Sequence, residues 1–96
     1  MKKYCVNVTV FNPLNKVVYL DTMLVNSDLD DCLKLLHELR QDYETFAKGI
    51  LILDSIVSHN QLFIKSKDNT QNTILYQIGE DFITQIIQYR NNKLKK

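Results

Sequence analysis

The sequence predicts an α+β domain, an antiparallel sheet of about five strands with two helices in the order β-β-α-β-β-β-α. Three observations carry this. Stretches such as "YCVNVTVF" alternate apolar and polar residues with the period of a half-buried strand, while "LDDCLKLLHELR" and "DFITQIIQYR" repeat apolar residues at helical spacing. The strand-like segments lie in neighbouring pairs separated by short turns, which favours antiparallel hairpins with helices packed on the sheet. With 96 residues, 45% hydrophobic and 24% charged, and with neither repeats nor a low-complexity linker, the chain reads as one domain over 1–96, ending in a short basic tail at 91–96.

The first hairpin comes from Tyr4, Val6, Val8 and Val10 alternating with Cys5, Asn7 and Thr9, then "NPLN", then "KVVYLDTMLV". Pro13 presets φ in the turn and Asn15 tolerates a left-handed conformation. A one-residue bulge would set Val8 and Val10 against Leu20 and Val18 and match apolar to apolar, so this register is expected over the symmetric one that places Val6 opposite Asp21.

"SDLDDCLKLLHELR" crowds aspartates, a cysteine and a histidine together, yet it reads as a helix start. Ser27 with Asp30 approximates a capping box, and the first-turn aspartates meet the positive end of the dipole. Leu29, Cys32, Leu33, Leu36, Leu39 and Tyr43 then fall on one stripe, and Lys48-Gly49 supplies the stop, so the helix is expected over 28–48. Cys32 and His37 lie about 140° apart around such a helix and do not converge on a ligand. A calcium loop begun at Asp28 would have Leu33 where glycine is needed and Leu39 where glutamate is needed.

"ILILDSIV" and "QLFIK" read as two strands turning at His59-Asn60. That turn pairs Val57 with Leu62, Ser55 with Ile64 and Asp54 with Lys65. Leu51, Leu53, Val57, Leu62 and Ile64 then form the core face. Ile50, Ile52, Asp54, Ile56, Phe63, Lys65 and Lys67 form a mixed outer face. "TILYQI" supplies a fifth, short strand, and Phe82, Ile83, Ile86, Ile87 and Arg90 mark a second amphipathic helix, expected to cover that outer face.

The chemistry is mostly excluded by what is missing. Gly49 and Gly79, the only glycines, are too far apart for a phosphate-cradling loop. Neither a Cys nor a His pair has zinc-ligand spacing, so no metal and no cofactor is expected. Ser58, His59 and Asp54 share a hairpin, but adjacent Ser and His side chains at a tight turn should point apart without an oxyanion pocket, and no enzyme activity is expected. Two cysteines without a multi-cysteine framework suggest reduced thiols and a cytoplasmic setting; no segment reads as a signal peptide or a membrane span, so no membrane partner is expected.

The net charge of +1 is too small for a polyanion-binding field. Two local surfaces remain. The first is the outer face with Ile52, Asp54, Ile56, Phe63, Lys65 and Lys67; the second is the basic end with Arg90, Lys93, Lys95 and Lys96. Ten lysines against two arginines, with many Asn, Ile and Tyr, suggest the AT-rich genome of a low-GC bacterium, its phage or a plasmid. The resulting expectation is a small non-enzymatic module that binds and inhibits or regulates a protein target, in the manner of an inhibitor, immunity or antitoxin-like protein. The alternative is a single-stranded nucleic-acid binder in which Phe63 stacks beside Lys65 and Lys67. A homodimer is compatible with either.

Overall fold

The computed structural model describes residues 2–94. The elements run β1 (Tyr4–Phe11), β2 (Val17–Ser27), α1 (Leu29–Phe46), β3 (Ile50–Ser55), α2 (Ile56–His59), β4 (Gln61–Ser66), β5 (Thr73–Glu80) and α3 (Phe82–Leu94). All strand pairs are antiparallel, and the sheet order is β2-β1-β5-β4-β3. The α+β class and the strand content agree with the sequence reading; the addition is α2, a single helical turn between β3 and β4.

The first turn forms as its residues require. Asn15 takes a left-handed φ of 62°, and the Asn12 side-chain oxygen accepts the N–H groups of Leu14 and Lys16. The register, however, is neither of the two weighed. Two irregularities, at Val10/Phe11 and Tyr4/Val6, set Val6 opposite Met23, Val8 opposite Asp21 and Val10 opposite Tyr19. Leu20 therefore faces away from the core, opposite Thr9, and is 70% exposed. The expected apolar match had no force because β2 is an edge strand exposed along most of its length, where burial selects a register only weakly.

One face of the sheet carries the core. Val6, Val8, Leu62, Ile64, Tyr76 and Ile78 pack under α1, which contributes Cys32 and Leu36 from the stripe expected of it. Tyr43 closes the far end, its hydroxyl 2.7 Å from that of Tyr76. The capping box does not form: Ser27 ends β2, and Asp28 occupies the cap position with its carboxylate on Lys3 Nζ, 2.9 Å away. The stop comes at Ala47, one residue before Lys48, with Gly49 at φ 70° carrying the chain into β3.

The second hairpin corrects the sequence reading most. Instead of a tight turn, Ile56 to His59 wind through one helical turn and Asn60, at φ 56°, reverses the chain. Ser55 then pairs with Gln61, Asp54 with Leu62 and Leu53 with Phe63. The shift from the expected pairing is odd, so every side chain of β3 changes face. Ile50 and Ile52 turn towards α1, Leu51 and Leu53 turn away, and Ile56 is fully buried while Val57 is 89% exposed.

The last helix does not cover the outer face of the sheet as expected. Its substantial contacts are with β2 alone. An 11-residue strand such as β2 spans about 36 Å and a 13-residue helix about 20 Å, so the long axis of 57 Å fits α3 continuing off the end of the sheet. The radius of gyration of 15.8 Å likewise exceeds the roughly 12 to 13 Å of a compact domain of this length.

Candidate interaction surfaces

The sheet face opposite α1 is built by the strand residues whose side chains alternate away from the core. Register places Phe63 between Leu53 of β3 and Leu75 of β5, and Lys65 beside Leu51. Across β5, Leu75 adjoins Thr9 and Thr73 adjoins Phe11. Leu51 and Leu53 are 42% and 44% exposed, more than isolated leucines in a two-layer fold would be if a helix lay over them. At the first turn this face dips into a cavity of about 280 Å³, lined by Phe11, Phe63, Lys65, Asn69, Gln71 and Leu75 among others.

The first candidate set is thus divided. Phe63 and Lys65 lie together on this open face, while Lys67 is exposed one residue beyond the end of β4. Ile52 faces α1 opposite Ile64, and Ile56 belongs to the core. Asp54 also lies on the α1 side, opposite Leu62 rather than Lys65; its Oδ2 is 2.8 Å from Arg40 Nε and its Oδ1 accepts the Ile56 N–H. The Arg40 Nε–H is not aligned on that carboxylate, so their contact is ionic rather than a directed hydrogen bond. Leu51, Leu53, Leu75 and Phe11 take the places that the sequence reading gave to Ile52 and Ile56. One signal for them was available: Asp54 followed by Asn60 brackets a helical turn, with an aspartate to start it and a left-handed asparagine to stop it.

Of the second set, Arg90 and Lys93 lie exposed on the last turns of α3, Lys93 with its ammonium 5.3 Å from the centre of the Tyr89 ring. Lys95 and Lys96 lie outside the described residues.

The Ser58 and His59 side chains do not point apart. Ser58 Oγ and His59 Nδ1 are 2.8 Å apart on an exposed turn. Asp54, with both oxygens engaged elsewhere, does not orient the imidazole. Among the described residues no group of three or more His, Cys, Asp or Glu side chains converges as a metal site would require. No helix there is long and apolar enough to cross a membrane.

Two carboxyl groups are held low, one at a turn and one at the base of α3, while burial raises the Tyr76 phenol in the core. Asp68 is held down at about 2 by hydrogen bonds from Ser66 and Thr70. Burial by itself would raise the Asp81 carboxyl, but N–H donors of Thr84 (2.9 Å) and Asn26 (2.7 Å) outweigh it and leave the group below its ordinary value. Both thiols are pushed up, chiefly by burial, which keeps Cys5 and Cys32 protonated and weakly nucleophilic.

Comparison with protein families, with curated proteins and with solved structures finds no match to this chain. The surfaces themselves are therefore the basis for assigning a role.

Proposed function

We propose that the chain is a small protein-binding module that inhibits or regulates a protein target, as an inhibitor, immunity or antitoxin-like protein does, and that it docks through the open sheet face. The observation carrying this reading is the set Leu51, Leu53, Phe63 and Leu75 around Lys65, an apolar patch left without a covering element among the described residues. Such a patch loses favourable free energy to water unless a partner covers it. The strand residues that share this face include one cation and no carboxylate, so the partner surface it fits is apolar with an acidic group placed over Lys65. Phe63, flanked by leucines on both neighbouring strands, has the position of a central aromatic anchor. Protonated, buried thiols fit work in a reducing, cytoplasmic compartment.

A second reading rests on the cavity beside Phe63. Phe11 and Phe63 offer rings, Lys65 a cation and Asn69 and Gln71 amides, a set suited to a base of single-stranded nucleic acid and its phosphate. Two variants separate the readings. With the protein reading, Leu53→Asp and Phe63→Ala both abolish affinity capture of the target, and single-stranded RNA and DNA bind no better than to a control protein. Micromolar nucleic-acid binding whose salt slope drops by about one unit in Lys65→Ala reverses the order. Retention of every binding activity by a folded Leu53→Asp/Phe63→Ala variant removes the face from both.

A further inference from the structure

The longest strand, β2, lies at an edge of the sheet, with Val17, Val18, Tyr19 and Leu20 all more than half exposed. An edge of this kind invites another strand unless something blunts it. Irregularities interrupt it at both ends. Val18 is left over where Tyr19 pairs with Val10 and Val17 with Phe11, and Leu24 and Asn26 take left-handed φ values of 53° and 52°. Between these breaks, residues 19–23 pair with β1 in one continuous register.

The ladder fixes which backbone groups in this window face outwards. The Ile78 N–H donates to the Asn60 carbonyl oxygen, on the β4 side, so Gln77 presents its N–H and C=O to β1. Asn7, opposite Gln77, therefore turns its own groups to β5 and none to Thr22. By alternation Asp21 and Met23 bond to β1, while the N–H and C=O of Leu20 and Thr22 point off the free edge. One of these outward groups is already taken. The Thr22 N–H donates to Asp21 Oδ1 at 2.8 Å, and the Tyr19 hydroxyl donates to Asp21 Oδ2 at 3.0 Å. Both oxygens of one carboxylate are thus held at the middle of the window.

We propose that Asp21 guards this edge, a built-in contact that stops the sheets of two copies from joining through β2. Within the regular window, the antiparallel two-fold pairing that uses every outward group sets Leu20 against Thr22 of the second copy, and the reverse. Each of those pairs would exchange two hydrogen bonds. The axis then passes Asp21, which faces Asp21 of the second copy at a non-hydrogen-bonded position, where side chains stand closest. Like charges directly opposed destabilise a strand pair, and the Thr22 N–H that the pairing needs is held by the same carboxylate. Moving the axis to Leu20 or to Thr22 does not avoid the block, because it brings Val18 at one irregularity or Leu24 at the other into the ladder. One side chain closes the edge both by its charge and by competing for a donor. This guard uses β2 alone and stands independently of the role given to the sheet face.

The test is sedimentation equilibrium of the full chain from micromolar to millimolar concentration, comparing wild type with Asp21→Thr, with circular dichroism to verify folding. Threonine suits a strand, adds little apolar surface and removes both the charge and the carboxylate acceptor. Asp21→Thr should associate about tenfold or more tightly than wild type. Leu20→Pro removes an N–H that points off the edge and no bond to β1, so the Asp21→Thr/Leu20→Pro double variant should fold and return to wild-type association. Thr22→Pro in the same background should do likewise. An Asp21→Thr variant that sediments as wild type does overturns the proposal. So does a gain that both proline variants leave in place, which would come from side-chain contact rather than strand pairing. A wild type whose own association falls with Leu20→Pro overturns it as well, because the edge would then be open with Asp21 in place.

Discussion

Asp81 links three parts of the molecule through one carboxylate. Only 5% exposed, it caps α3 through the Thr84 N–H and holds Asn26, whose φ of 52° turns the end of β2 towards the helix. Its own N–H donates to the Lys3 carbonyl oxygen, 2.8 Å away. Asp81→Ala removes a cap and leaves the Asn26 N–H without its acceptor, and should lower unfolding stability by about 2 kcal/mol in urea titrations. The sign of the pH effect follows from the depressed pKa. The stabilising contribution is fully present above the unfolded value near 3.9 and is lost as pH falls through the lower folded value. Asp81→Asn should therefore show a shallower loss of stability than wild type on acidification below about pH 4; identical acid limbs would mean that the carboxylate is not held in its charged form. Asp68 offers a direct check in the same range, since carbon-detected NMR titration should find its carboxyl at about 2.

At the scale of elements, the helix α1 was legible in the sequence and the second hairpin was not, and the two differ in what fixes them. The stripe through Cys32, Leu36 and Tyr43 repeats over many turns, so one misjudged position would not rotate the helix, and its burial follows as expected. In β3 the side chains alternate, and "ILIL" is apolar at every position, so no pattern distinguishes the two faces. The choice fell to the turn, where a one-turn helix replaced a tight reversal and moved Ile56 into the core. The candidate surface inherited that slip: Phe63 and Lys65 keep their place, while Ile52 and Asp54 give way to Leu51 and Leu53. Two substitutions measure the difference. Ile56→Ala should lose about 2 to 5 kcal/mol through the cavity it leaves, whereas Val57→Ala should change stability by less than about 0.5 kcal/mol. The opposite order would restore the tight turn. Leu36→Ala belongs with Ile56→Ala in the larger class, because both side chains are fully buried.

The whole molecule combines a domain closed on one side with two surfaces left open, the outer face of the sheet and the exposed apolar side chains of α3. The two differ in what they need from a partner. The sheet face is rigid without one, because its strands are held by the ladder and by the core beneath α1. The helix is not, since the described contacts hold its base and leave its last turns to their own backbone hydrogen bonds. Stability should therefore be distributed unevenly along the chain, with opening of α3 needing far less free energy than opening of the sheet. Hydrogen exchange would read this directly. Amides in the last two turns of α3 should exchange rapidly, while those of β1, β5 and β4 stay protected to near the global unfolding limit. If the last turns of α3 were equally protected, the helix would be stable by itself, and the need for a partner to hold its form would fall.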